Sequence, residues 1–125
     1  MVYNIAMEEN NNFDEGGQLV IDIYQTPDKF VIEAPVAGVN PEDIDINVKR
    51  DGVFIKGRRI HETYVDEKDY LYQECYWGNF SRSVILPQEV DPDKAKVEFK
   101  NGVLIINLPK SKNLESARKI KVKIE

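Results

Sequence analysis

The side chains that could act in catalysis or metal binding are few in this chain of 125 residues. It has one histidine, His61, and one cysteine, Cys75. A zinc site needs about four ligands, most often from Cys and His, so these two residues cannot complete one. A serine or cysteine nucleophile would need the same imidazole as its base, and no serine lies in a G-x-S-x-G turn. We expect His61 to be a surface residue of a strand, with a pH-sensing role as the less favoured interpretation.

Phosphate-binding and carboxylate-based chemistry is not indicated either. The chain lacks a G-x-x-x-x-G-K-[ST] loop, which would hold the phosphates of a nucleotide. Its acidic clusters, such as Glu42 with Asp43, lie beside turn-forming residues, and solvated loop charge is favoured over a glycosidase pair. The sequence therefore predicts a protein that is not an enzyme, with no catalytic residues, no metal and no cofactor.

The composition of the chain argues against several further classes of function. The net charge of −5 argues against a nucleic-acid partner, because such binding depends on neutralising phosphates with Lys and Arg. No apolar run approaches the roughly 20 residues needed to cross a membrane, and no secretory signal opens the chain. A single cysteine excludes an internal disulfide and is typical of a reducing compartment, so we expect a cytoplasmic location.

The elements that must position any functional residue are strands. Val and Ile number 26, against 11 for Ala and Leu, and no helical period of ten residues occurs. Ile44, Ile46 and Val48 alternate with polar residues, as do Ala95, Val97 and Phe99. Turns at residues 51–52 (Asp-Gly) and 101–102 (Asn-Gly) are typical of tight hairpins. We predict an all-β, immunoglobulin-like antiparallel sandwich of seven or eight strands, one of them over residues 70–74.

The predicted domain organisation has three parts. Residues 1–17 are expected to form a flexible arm, residues 18–109 the sandwich, and residues 110–125 a C-terminal tail. The arm carries a few apolar side chains, which are candidates for contact with other proteins: Tyr3, Ile5, Met7 and Phe13.

Two apolar patterns and one charged residue on an otherwise apolar face need more than a fold to explain them. Residues 103–108 are apolar on both faces except at Asn107, so the opposite sheet and local loops should cover them. Ile120, Val122 and Ile124 alternate with lysines beyond a polar linker; they form either a last strand of the sandwich or, as the linker favours, a strand that pairs with another chain. Arg82 shares a face with apolar neighbours and therefore needs a carboxylate or carbonyl partner.

Four segments in order resemble the small heat-shock proteins, which are built on the α-crystallin domain. The segments are PEDIDI at 41–46, DGVFIKGRR at 51–59, YWGNFSRSVILP at 76–87 and VEFKNGVL at 97–104, the last close to the A-x-x-x-N-G-V-L signature. The resemblance extends over residues 19–109 and the tail. Val97 replaces the signature alanine while Ala95 is smaller than usual, and the arm is shorter than is common in the family.

The resemblance implies an ATP-independent chaperone, or holdase, that binds unfolded or partly unfolded proteins and prevents their aggregation under heat or other stress. Either Ile120-x-Val122 or Val122-x-Ile124 looks like the family's I-x-I/V anchor, and the register stays open. The anchor would dock in a neighbour's groove between strands 44–50 and 95–100, lined by Ile46, Val48, Val97 and Phe99.

The resemblance also implies a homodimer made by strand exchange, with higher oligomers formed through the tail. The long connection before residue 78 would carry the exchanged strand. Its acidic stretch, Glu62, Asp66, Glu67 and Asp69, would pair with arginines across the interface. The residues concerned are Tyr64, Tyr70, Leu71 and Tyr72, with Arg58, Arg59 and Arg82.

Two other classes of function stay open. A co-chaperone or adaptor with the related sandwich of the CS domain would bind one folded partner. A carbohydrate-binding module could use Tyr70, Tyr72, Tyr76 and Trp77 as a stacking platform, although the lack of a signal peptide weighs against it.

Overall fold

The structure, a computed structural model, describes residues 16–112. Eight strands form two four-stranded sheets: β1 (Gly17–Gln18), β2 (Asp22–Gln25), β3 (Lys29–Pro35), β4 (Ile44–Lys49), β5 (Gly52–Arg59), β6 (Gly78–Ile85), β7 (Lys96–Lys100) and β8 (Val103–Pro109). Three single turns of 3₁₀ helix interrupt them, at Pro41–Asp43, Glu67–Asp69 and Pro92–Lys94. The all-β prediction is confirmed.

The two sheets pack face to face around one apolar core. Sheet A has the order β1-β6-β5-β4, and sheet B has the order β2-β3-β8-β7. All pairs are antiparallel except β1 with β6, which is parallel. Ile55 in the middle of sheet A and Ile32 and Ile106 in the middle of sheet B are fully buried. Within residues 16–112, β4 and β7 each pair with one strand only, so each lies at an edge of its sheet.

The second predicted hairpin is confirmed and the first is shifted by one residue. Lys100 pairs with Val103, and Asn101 and Gly102 between them have φ values of 53° and 78°, as a type I′ turn requires. In the first hairpin Lys49 pairs with Gly52, so the loop is Arg50 and Asp51 rather than residues 51–52. Gly52 belongs to β5, where a Cβ would lie 2.5 Å from the Val84 carbonyl oxygen. That glycine therefore serves close strand packing, not the turn.

β8 is apolar on both faces for two different reasons. Leu104, Ile106 and Leu108 face the core and are buried, so the opposite sheet covers this face as expected. Ile105 faces outward, where it pairs with Glu33 and Glu98 on the neighbouring strands, and it is half-buried. Flanking strands with long charged side chains, rather than loops, shield the outer face.

The connection between β5 and β6, residues 60–77, differs from the prediction. Residues 70–74 form no strand, because no neighbouring strand within residues 16–112 offers them backbone partners. His61 lies beyond the end of β5 and is exposed, so it is a surface residue of this connection and not of a strand. β1 was not among the predicted strands, because two residues with a glycine carry no alternation.

Candidate functional site

Four predicted residues, Ile46, Val48, Val97 and Phe99, lie on the inner faces of the two edge strands; we call them the edge groove. Directly paired residues of antiparallel strands point to the same face. Ile46 pairs with the buried Ile55, and Val48 pairs with the buried Val53. In sheet B, Val97 pairs with Ile106 and Phe99 pairs with Leu104, both buried.

The edge groove is apolar surface that the sandwich only partly covers. Ile46, Val48 and Phe99 are half-buried and pack against the core. Val97 is 47% exposed, although its side chain points to the same face as the core. Because β4 and β7 are the last strands of their sheets within residues 16–112, the interior reaches solvent between them. An extended apolar segment has both side-chain contacts and a sheet edge to bind here.

A second apolar surface lies on the connection at residues 60–77. Tyr64, Leu71 and Tyr72 are 87%, 92% and 83% exposed, and Tyr70 is half-buried. Single exposed apolar residues are ordinary, but three that are almost fully exposed within nine positions indicate a surface for contact with another molecule.

The base of this connection is held in place by its two ends. The imidazole of His61 stacks on the indole of Trp77, with ring centroids 4.5 Å apart and planes inclined by 11°. The Tyr76 hydroxyl donates a hydrogen bond to the Asn79 carbonyl oxygen and accepts one of 3.0 Å from the Gly17 amide. The tip is therefore exposed while the base is fixed to the sandwich.

The three arginines predicted for the dimer interface have different environments. Arg82 faces the core and donates from its guanidinium to the Leu19 carbonyl oxygen at 3.0 Å, which confirms the expected polar partner. The Arg59 Nε donates to the Ala37 carbonyl oxygen at 3.0 Å, and its guanidinium lies 5.6 Å from the centroid of the Phe80 ring. Arg58 is exposed.

The acidic stretch makes few polar contacts within its own subunit. Its one ion pair in the described part of the chain joins Lys68 to Asp66 at 4.0 Å, with the two side chains 77% and 47% exposed. The Asp66 carboxylate also accepts a hydrogen bond from the Lys68 amide at 3.4 Å. The structure brings none of the three arginines into an ion pair with this stretch within residues 16–112.

Sequence reasoning missed the open edge at β2. All four of its residues are exposed, and Ile23 and Tyr24 are 42% and 50% exposed. The Tyr24 hydroxyl donates to the Glu33 carboxylate at 2.9 Å, and this hydrogen bond raises the pKa of the Tyr24 phenol above its usual value of 10.0. No sequence pattern could have found this edge, because strand order decides which strand is outermost.

Some predicted residues lie outside the described ones. These are the tail anchor, Ile120, Val122 and Ile124, and the apolar residues of the arm, Tyr3, Ile5, Met7 and Phe13. Within residues 16–112 no three His, Cys, Asp or Glu side chains come together as metal ligands, and no helix is long and apolar enough to cross a membrane.

Known protein families and individual proteins are similar in sequence to this chain. The sequence profile of the Hsp20/alpha crystallin family matches residues 22–125. Small heat shock protein C2 of Rickettsia felis is 37% identical over 102 residues, which cover 82% of this chain and 66% of that protein. The chain spans between 57% and 66% of the length of three curated relatives.

Solved structures give the same result. Heat shock protein 16.0 from Schizosaccharomyces pombe superposes with a TM-score of 0.73 at 26% identity, covering 94% of this chain and 82% of that one. A small heat-shock protein from Xylella fastidiosa gives a TM-score of 0.66 at 29% identity, covering 86% of this chain and 94% of that one. Small heat shock proteins are chaperones, which confirms the expectation that the chain is not an enzyme. The chain belongs to the Hsp20/alpha crystallin family of small heat shock proteins.

Proposed function

We propose that this chain is an ATP-independent chaperone that binds non-native proteins and prevents their aggregation. The observation that carries the proposal is the edge groove, where Val97 is 47% exposed on an inward-facing position. Partly unfolded proteins expose apolar segments and unpaired strand edges, and both features fit an open apolar edge.

The energetics of such a surface suit reversible binding. Burial of ~500 Å² of apolar client surface contributes ~12 kcal/mol at ~25 cal/mol per Å². Association and side-chain ordering oppose this by an amount of similar size, so the net affinity is moderate. Binding lowers the concentration of free aggregating species by mass action and needs no nucleotide.

The building block in this proposal is a homodimer made by strand exchange. The exposed connection at residues 60–77 offers apolar side chains and a segment, 70–74, that has no strand partner among the described residues of its own subunit. β2 offers an edge whose backbone groups are open on one side. When the partner's residues 70–74 pair with β2, the segment and the open edge of β2 both gain backbone hydrogen-bond partners. The same pairing covers the side chains of Ile23 and Leu71.

Higher oligomers form, in the same proposal, when Ile120, Val122 and Ile124 of one chain dock in the edge groove of another. The docked segment removes an apolar edge that otherwise invites aggregation. Release of the segment exposes the groove to clients. A cytoplasmic location fits these roles and the exposed free thiol of Cys75.

The test is suppression of heat-induced clouding of a model client by the purified protein without nucleotide. We expect suppression at a molar ratio near one, and weaker suppression by a Val97→Asp variant that keeps its fold. Continued clouding at several-fold excess would contradict the chaperone proposal. Recovery of one folded protein in fixed stoichiometry would then favour the adaptor alternative.

A further inference from the structure

A small cavity lies at the end of sheet A where β4 begins. Its volume is about 270 Å³, and it is lined by Gly38, Asn40, Asp43, Ile60, Glu62 and Trp77. Asp43 directly precedes β4, and Ile60 directly follows β5, so the cavity adjoins one end of the edge groove.

The lining of this cavity suits a cationic side chain. Its lining residues include two acids, Asp43 and Glu62, and Trp77, whose indole stacks on His61. Neither carboxylate forms an ion pair or a side-chain hydrogen bond with another residue of the described chain. A guanidinium or ammonium group gains from both the carboxylates and the aromatic ring. The neighbouring Arg59 is engaged elsewhere, with Ala37 and Phe80.

The charge of the surrounding surface also differs between the two ends of the edge groove. Glu42 and Asp43 lie directly before β4, and the only basic residue on the facing end of β7, Lys100, belongs to the outer face of sheet B with Val103. At the far end of β4, a cleft of about 660 Å³ is lined by four cations, including Arg50 and Lys94, and by two carboxylates. The edge groove therefore has an acidic end and a more basic end.

The C-terminal segment also has different charges at its two ends, as the edge groove does. Its apolar positions, Ile120, Val122 and Ile124, have nearly the same shape in either direction, so apolar contacts alone do not select an orientation. Its flanks do differ, because Arg118 and Lys119 precede the anchor and Glu125 follows it. Arg118 and Ile124 are six residues apart, ~20 Å in an extended chain, which is also the length of a six-residue strand such as β4.

We propose that Asp43, Glu62 and Trp77 bind the side chain of Arg118 from a second copy of this chain, and that this contact sets the direction in which the C-terminal segment docks. Arg118 then lies at the beginning of β4, and Glu125 lies toward Arg50. The inference rests on the proposed docking of the segment in the edge groove, and it adds a cation site and an orientation to it.

The experiment uses Trp77, the only tryptophan of the chain, as the reporter. In full-length protein with Cys75→Ser, a nitroxide quencher is attached at Ala117→Cys in one preparation and at Glu125→Cys in another. We expect the label at 117 to quench Trp77 fluorescence strongly and the label at 125 to quench it little. Asp43→Asn with Glu62→Gln should remove the quenching from 117 while the oligomer mass changes little, because the apolar anchor is intact.

Two results would overturn the inference in different ways. Equal quenching from both positions, or stronger quenching from 125, in protein that keeps its oligomer mass shows docking without this orientation. Ile120→Ala, Val122→Ala and Ile124→Ala together separate the two proposals. If the combined variant retains both the mass and the quenching pattern, docking through the anchor is wrong, and the orientation fails with it.

Discussion

Val97 and Ile106 are directly paired across β7 and β8, yet Val97 is 47% exposed and Ile106 is fully buried. Both side chains point to the same face of sheet B. The difference arises because β8 is an inner strand, whereas β7 is the last strand of its sheet. The fold thus leaves an inward-facing apolar position open to another chain.

Substitutions of Val97 and Ile106 distinguish an effect on docking from an effect on the stability of the fold. Val97→Asp should cost about 1 kcal/mol or less of unfolding free energy, because the side chain is half exposed. The same change should shift oligomers toward dimers, because it places a charge in the edge groove. Ile106→Ala should instead cost about 2–5 kcal/mol, the usual price of a core cavity.

Urea denaturation and light scattering measure the two effects. Val20→Asp is the matched control, since Val20 is 68% exposed and lies outside the edge groove. An unchanged mass for Val97→Asp would argue that the groove is not an assembly site.

The C-terminal anchor makes a second prediction. Replacing Ile120, Val122 and Ile124 together by Ala removes most of the apolar surface that can dock, so oligomers should fall to dimers. Replacing Lys121 and Lys123 by Gln is the control, because these side chains alternate with the anchor and should face water. Multi-angle light scattering that finds the same mass for the triple variant and the parent protein would refute the docking role.

The exposed connection makes a third prediction, at the level of the dimer. Leu71→Asp and Ile23→Asp each place a charge in the proposed strand-exchange contact, and each should favour monomers over dimers. Ile85→Asp serves as the control, since Ile85 is 85% exposed on the outer face of sheet A. Sedimentation velocity at low micromolar concentration measures the change. Dimers that are equally stable in all three variants would contradict strand exchange at β2.

The half-buried Arg82 makes a fourth prediction, within one subunit. Arg82→Ala removes the donor to the Leu19 carbonyl oxygen and leaves that acceptor without its side-chain partner. We expect a loss of about 1–3 kcal/mol in the free energy of unfolding, measured by urea denaturation. Arg82→Lys keeps a cation on a shorter donor and should lose less. A stability equal to that of the parent protein in Arg82→Ala would show that this hydrogen bond contributes little.

Periodicity alone determined the fold class and much of the register. Alternating apolar residues at 44–48 and 95–99 predicted which side chains of β4 and β7 face the interior, because a strand repeats every two residues. The Asn101-Gly102 turn was also correct, since only a few residue types adopt positive φ at both positions. The first hairpin loop was predicted one residue too far along the chain because of Gly52. A glycine required for close packing looks the same in sequence as one required for a turn.

Tertiary structure alone decided which strands are outermost. Val97 lies in an alternating segment and Ile106 in a segment that is apolar on both faces, but neither pattern identifies which strand forms the open edge of a sheet. The order of strands in a sheet depends on contacts between distant parts of the chain, such as β3 with β8. The cavity at Asp43, Glu62 and Trp77 has the same origin, because residues from two separate connections, β3–β4 and β5–β6, meet there only in the folded chain.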